Sequence, residues 1–454
     1  MKSLLKVSLI LLFFSVLLSC KKDNPAPSNN EAGKFPVDYD KTKGFENLEL
    51  QYSSLNEAIY YVFKDWYLWN STMPKVNYNS YSDPQKLIDA LKNAKDQWSF
   101  IADKATNDAL FNNGISQGQG LDFQVDWKFF SSSNKYKIRV AYVYSSSPAG
   151  NAGMYRGMEI TKINGIPFID LINNESAFYS EFAKTTITYS ILDSAGTSKD
   201  ITLTDGPVQI NTVLYKNIFN IGSKKVGYIV FNSFLGTAEQ ELTNSFAYFK
   251  GQGINELILD LRYNGGGLVS LSQKLSSIIA GSGNVGKVYI NEKFNSNNAN
   301  QNFDYKFIED PNALNLSRVF IIGSRFTASA SELVINGLKP YINVVLIGEE
   351  THGKPVGYFP FTYKDKEVYP VSFESFNANN QGGYYDGIKP SIYKVDGVEF
   401  DWGDKREYCL KEALYYIENG SPSGTGTTVR IGSIPRFVST IFEKRGLQQF
   451  YGAY

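Results

Sequence analysis

The sequence predicts a multidomain α/β protein: a small N-terminal helical domain, a β-rich domain, and a larger α/β core with β-α-β units. Three observations lead there. Arg318-Val319-Phe320-Ile321-Ile322-Gly323 and Asn343 to Gly348 read as short buried strands, and between them Ser331 to Leu338 reads as a helix that stops before Pro340. Leu257-Ile258-Leu259-Asp260-Leu261-Arg262 reads as another buried strand, followed by Tyr263-Asn264-Gly265-Gly266-Gly267 and a helix from about Leu268 to Ala280. The chain has 454 residues and 15% aromatic content, enough for two or three domains with ample core.

At the N-terminus, Lys2 and Lys6 precede an apolar run from Val7 to Leu18, which at about 1.5 Å per residue is too short to span a bilayer comfortably. It reads as a signal peptide over 1–19, with an uncleaved membrane anchor as the alternative. Leu17-Leu18-Ser19-Cys20 resembles a bacterial lipobox, which implies cleavage before Cys20, lipid on its sulfur, a membrane lipid as partner, and a place in the cell envelope. Cys409 is then left without an intrachain partner, so no disulfide is expected. Residues 20–48 are polar, with Pro25, Pro27, Ser28, Asn29 and Asn30, and read as a disordered tether.

The helical domain is expected over 49–105. Apolar groups recur at helical spacing from Leu55 to Trp69 (Ile59, Tyr60, Phe63, Trp66, Leu68), and Gln85 to Ala94 makes a second amphipathic helix. The β-rich domain spans 106–206. It resembles a PDZ domain through Gly120-Leu121-Asp122-Phe123, Ser147-Pro148-Ala149, and the run from Gly153 to Gly165. That resemblance implies that Gly120, Leu121 and Phe123 bind the C-terminal segment of a peptide, which adds as a strand while backbone N–H groups hold its carboxylate. A β-rich spacer is the plainer reading. The core spans 207–420, with a further strand at Val226 to Phe231, and 421–454 reads as a flexible linker and a tail with a short helix around Pro435 to Arg445. Lys plus Arg and Asp plus Glu balance at 45 each, so nothing points to nucleic acid.

The chemistry concentrates in Thr327-Ala328-Ser329-Ala330-Ser331-Glu332 and in Gly353-Lys354. The β-α-β pattern puts Ser329 at a helix N-terminus, where bare N–H groups and the helix dipole favour developing negative charge, so Ala330 N–H becomes a candidate oxyanion donor. Ser329-x-x-Glu332 is equally a capping box, in which the serine only satisfies the helix end. The glycine run at 265–267 lets a backbone approach closely and present its own N–H groups. Lys354 is a solvated loop lysine on the plain reading and a general base on the other. As a base it must be neutral, which needs burial or a nearby positive charge. The single histidine, His352, leaves a histidine base as an alternative, and no metal or cofactor is called for.

Leu259 to Gly267, Thr327 to Glu332, and Gly348-Glu349-Glu350-Thr351-His352-Gly353-Lys354 together resemble the C-terminal processing peptidases, or tail-specific proteases, a family of serine peptidases. Tyr385-Asp386-Gly387-Ile388-Lys389-Pro390 resembles a late segment of the same family, so the resemblance covers roughly 46 to 420. It implies a crotonase-like core and a serine endopeptidase with Ser329 as nucleophile and Lys354 as base, acting on proteins or peptides with free C-termini. It also implies an upstream oxyanion donor at Gly266 or Gly267, with Gly266 favoured. The family often has Gln four residues after the lysine, where this chain has Tyr358, which leaves the group that orients Lys354 unassigned. A catalytically weak or inactive peptide-binding lipoprotein on the same fold is the rival reading.

Overall fold

Ser54 accepts a hydrogen bond from Glu57 N–H at 3.2 Å and so starts α1 (Leu55–Trp66), whose Ala58, Ile59, Val62 and Phe63 form one buried stripe. The computed structural model describes residues 47–126 and 137–424. Cys20, the leader, most of the tether and the tail beyond residue 424 lie outside the described residues. Helix α1 stops at Trp66, and Trp69 instead begins a short 3-10 turn. Asp83 caps α2 (Pro84–Leu91), with proline at the first position where its missing N–H is not needed. Strand β1 (Phe100–Asp103) and helix α3 (Lys104–Asn113) follow, the helix ending on Gly114 at φ +62°.

The β-rich region contains β2 (Ile115–Gly118), β3 (Leu121–Val125), β4 (Ile138–Val143) and the one-turn α4 (Pro148–Asn151). It continues with β5 (Glu159–Ile163), β6 (Ile166–Pro167), α5 (Phe168–Ile172), α6 (Glu175–Phe182), β7 (Thr186–Leu192), β8 (Ser198–Thr204) and β9 (Gly206–Gln209). Its main sheet runs β3-β4-β5-β7-β8, so β3 is an edge strand, while β2 and β9 pair where the chain enters and leaves. Phe123, Val140, Ile160, Phe168, Phe178 and Ile191 form a core separate from the main one.

In the third region come β10 (Val213–Ile221), β11 (Lys224–Phe231), α7 (Ala238–Gln252), β12 (Glu256–Asp260), α8 (Val269–Ala280), β13 (Val288–Phe294) and β14 (Phe303–Lys306). Next are β15 (Arg318–Gly323), α9 (Ala330–Leu338), β16 (Asn343–Gly348), β17 (Val356–Tyr358), β18 (Phe361–Tyr363), β19 (Lys366–Tyr369), β20 (Val371–Asn377), β21 (Ile392–Tyr393) and α10 (Tyr408–Asn419). The central sheet has the order β10-β11-β12-β15-β16-β21 and is parallel from β11 onward. Val319 and Ile321 of β15 face the layer that holds α7, α8 and α9, whereas Phe320 and Ile322 face α10 with Leu410 and Ala413. That alternation explains why the strand reads as a continuous apolar run: both faces are covered. A second sheet, β14-β13-β20-β17, stands beside it, and β1 pairs antiparallel with β19.

The strand expected to run through Arg262 ends at Asp260. Arg262 turns its fully buried guanidinium onto Asp260, Asp396 and Glu407, with distances of 2.7–3.1 Å. Arg156, from the β-rich domain, reaches the same Asp396 at 2.5 Å, donates to Phe400 O at 2.9 Å, and lies 4.0 Å from the Trp402 ring centroid. The β-rich domain is thereby anchored on the core through a buried charge cluster. Cys409, on the buried face of α10, is a free thiol, and burial pushes its pKa up. No helix among the described residues is long and apolar enough to cross a membrane.

Candidate active site

Parallel strands β11, β12, β15 and β16 deliver their following loops to one end of the sheet, where ligands gather in open α/β sheets. Side chains stitch the loops after β12 and β15 together. Thr327 Oγ1 donates to Leu261 O at 2.8 Å, Ser331 Oγ donates to Asn264 O at 2.9 Å, and Ala328 N–H donates to the same carbonyl at 3.1 Å. The glycine run is thus held against the start of α9. A Cβ on Gly266, which has φ +108°, would stand 2.7 Å from Ser329 Cβ and 2.9 Å from Ala330 N, so only glycine permits the approach.

Ser329 is the N-cap of α9, with φ 54° and ψ −118°. A residue that merely caps a helix takes ordinary extended dihedrals, whereas these lie in a region that L residues avoid. Serines held this way on a strand-to-helix turn push Oγ out of the loop, the arrangement of a nucleophile elbow. The capping box is present as well, with Ser329 N–H donating to Glu332 Oε2 at 2.9 Å. Capping and strain therefore coexist at Ser329.

Glu332 carries more than a cap. Its buried carboxylate accepts from Ser329 N–H and Lys354 N–H on Oε2, both at 2.9 Å, and from Thr351 Oγ1 at 2.6 Å and Gly353 N–H at 2.7 Å on Oε1. One oxygen thus joins the main chains of Ser329 and Lys354. Burial pushes the Glu332 carboxyl up to about 7, against the four donors, which favour the ionised form. Lys354 is itself buried, 1% exposed, and donates from Nζ to Tyr358 Oη at 2.9 Å. Burial takes His352 down to about 4; an ammonium on Lys354 would push the same way, and a hydrogen bond to the Arg325 main chain opposes the shift. His352 N–H donates to Thr327 O at 3.0 Å.

Gly266 does not fit the role expected of it. Its N–H donates to Asn264 Oδ1 at 2.9 Å and is spent. Its neighbour is oriented otherwise. Phe234 N–H bonds Gly266 O and Leu268 N–H bonds Phe234 O, each at 2.9 Å, so this parallel bridge leaves the Gly267 N–H on the side away from Phe234. Phe123 packs its buried ring against Phe168 and Phe182, with centroids at 5.2 and 5.6 Å. Gly120, at φ +76°, leads into the edge strand β3, and Leu121 is partly buried at the start of that strand.

Sequence reasoning missed Glu332, Thr351 and Tyr358 as parts of this site, although all three stand within or beside the motifs it singled out. By its spacing Glu332 is a helix cap, and no local pattern announces that a cap reaches 22 residues ahead to a lysine main chain.

Residues 225–393 match the model of peptidase family S41, and residues 54–100 match that of the peptidase S41 N-terminal domain. A CtpA-like serine protease of Staphylococcus aureus (strain COL) is 26% identical over 327 residues, covering 70% of this chain and 62% of that protein. The carboxy-terminal processing protease CtpA of Bacillus subtilis (strain 168) is 24% identical over 325 residues, covering 70% of this chain and 66% of that protein. The chain thus spans about two thirds or less of the length of these relatives. The crystal structure of a protein from Bacteroides fragilis NCTC 9343 described as an S41 protease superposes with a TM-score of 0.65 at 24% identity, over 80% of this chain and 97% of that one, and so shares its fold. Both matched segments lie in this order, with the glycine loop, Ser329 and Lys354 inside the larger of them, so over residues 54–100 and 225–393 the chain is similar to peptidase family S41.

Proposed function

We propose that the chain is a serine endopeptidase working through a Ser329–Lys354 dyad. The observation that carries the reading is the strained Ser329, tied through one oxygen of Glu332 to the main chain of a buried Lys354. Burial disfavours the ammonium form and leaves an amine able to accept the serine proton. As Oγ attacks the scissile carbonyl, its proton passes to Nζ, and the oxyanion of the tetrahedral intermediate is met by the N–H groups of Ala330 and Gly267. Nζ returns the proton to the leaving amine, and water, activated by the same amine, releases the acyl group from Ser329.

The β-rich domain is the proposed receptor for the free C-termini of protein or peptide substrates, in the manner of a PDZ domain. Among the described residues β3 stands at the end of its sheet, behind the Gly118 to Gly120 turn, and an extended peptide adding beside a terminal strand is the mode such a receptor would use. Lipid on Cys20 would hold the enzyme on a membrane of the cell envelope. The feature that favoured a non-catalytic binder, tyrosine at 358, loses its weight because Tyr358 Oη is itself bonded to Lys354 Nζ.

Hydrolysis of an unfolded protein such as casein tests the reading. Ser329→Ala and Lys354→Ala are expected to be inactive and folded, and His352→Ala active. Activity remaining in the first two would refute the dyad.

A further inference from the structure

Resting on the peptidase reading, we propose that Tyr358 is the positioning residue for Lys354 and that Phe100, on a strand supplied by the N-terminal region, holds the tyrosine in place. Lys354 and Tyr358 are four residues apart, too far to meet along a regular extended strand. Two departures bring them together: Lys354 lies in the loop before β17, and the register of β17 against β20 shifts between Gly357 and Tyr358. Such irregularities re-aim a side chain. Here Tyr358 Oη accepts from Nζ at 2.9 Å, and Nζ stands 4.2 Å from the centroid of the same ring.

The ring has little freedom. Tyr358 is fully buried, with Phe100 edge-on at 5.5 Å and Tyr369 edge-on at 5.5 Å. Phe100 and Tyr369 face each other across the β1–β19 pairing and stack at 4.6 Å with 7° between their planes. Tyr369 Oη donates to Glu367 at 2.6 Å, and Asn107 Nδ2 of α3 donates to the same carboxylate oxygen at 2.7 Å. Two anchors of the aromatic set, Phe100 on β1 and Asn107 on α3, thus precede β2 in sequence. The N-terminal region reaches the base through one layer of rings.

The chemistry gives this contact a purpose. A neutral amine carries two N–H groups and one lone pair. An oxygen that accepts one N–H fixes rotation about the Cε–Nζ bond and so aims the lone pair, which must meet the Ser329 proton. The same oxygen bonds an ammonium more strongly than an amine, so its removal favours the amine.

The experiment compares the full chain with Tyr358→Phe, Tyr358→Gln and Phe100→Leu, reading casein hydrolysis against pH and labelling of Ser329 by a fluorophosphonate. Labelling of the wild-type serine reports the peptidase reading itself, and its absence would overturn both. With labelling established, Tyr358→Phe is expected to lower kcat about tenfold or more with KM nearly unchanged. The acid limb of kcat/KM should move to lower pH, a shift that a packing defect would not produce. Tyr358→Gln restores an oxygen acceptor and should recover part of the loss. Phe100→Leu should lower kcat while leaving the limb in place, because the hydroxyl survives. Wild-type kcat and an unmoved limb in Tyr358→Phe would overturn the proposal.

Discussion

At Ser329 the dihedrals that expose a nucleophile are dihedrals that serine resists, and the surrounding contacts hold them. Glycine adopts φ 54° freely, so Ser329→Gly should abolish turnover while raising stability by about 1–3 kcal/mol, read by chemical denaturation. A less stable glycine variant would mean that the backbone there is relaxed. The titration of His352 gives a second expectation. Its folded pKa of about 4 lies below the ordinary 6.5, so its contribution to stability is full above 6.5 and is lost as pH falls toward 4. His352→Gln should therefore gain stability relative to wild type as pH drops through that window in thermal melts, and a constant difference would exclude a buried neutral histidine. That Ser329 and Ala330 open a helix and that Lys354 lies in the loop after a strand was legible, because loop chemistry is written in neighbouring residues. Which glycine keeps a spare N–H was not legible, for a tertiary reason: the Asn264 side chain curls back onto the Gly266 N–H, and among three glycines the sequence does not say which N–H is left over.

The core strands and helices that the sequence reading named lie within two residues of their observed bounds, whereas α7, β21 and α10 were not named. β15 and β16 are buried on both faces and bounded by glycine, and α9 ends just before Pro340. The antiparallel pairings were not readable, since β1 meets β19 more than 260 residues later and nothing local encodes that register. The docking of the β-rich domain was equally hidden, because Arg156 sits in a glycine-rich turn that reads as solvent-exposed yet is buried against Asp396 and Trp402. Removing one partner of such a cluster strands a buried charge, so Arg156→Leu should cost about 3–5 kcal/mol in urea unfolding. A loss below about 1 kcal/mol would mean the domains are not held there. For the edge strand β3, a peptide with a free C-terminus should bind the full-length Ser329→Ala protein about tenfold or more tightly than its amidated form, as loss of one charge-assisted hydrogen bond implies. Equal affinities in calorimetry would remove the tail-recognition proposal and leave the dyad standing.

Across the whole molecule, one sheet end collects the glycine loop after β12, Ser329 after β15 and Lys354 after β16, and the N-terminal region closes over the lysine through Phe100 and Tyr358. Parallel order makes this convergence possible, because each βα loop emerges at the same edge. The proposed site therefore draws on residues from 100 to 358. The central claim is that a neutral Lys354, and not His352, activates Ser329. Mass-spectrometric mapping of the fluorophosphonate adduct on the full-length protein addresses it directly. The adduct is expected on Ser329 in wild type and in His352→Ala, and absent from Lys354→Ala. An adduct on Ser329 that survives Lys354→Ala and disappears in His352→Ala would contradict the claim and hand the base to the histidine.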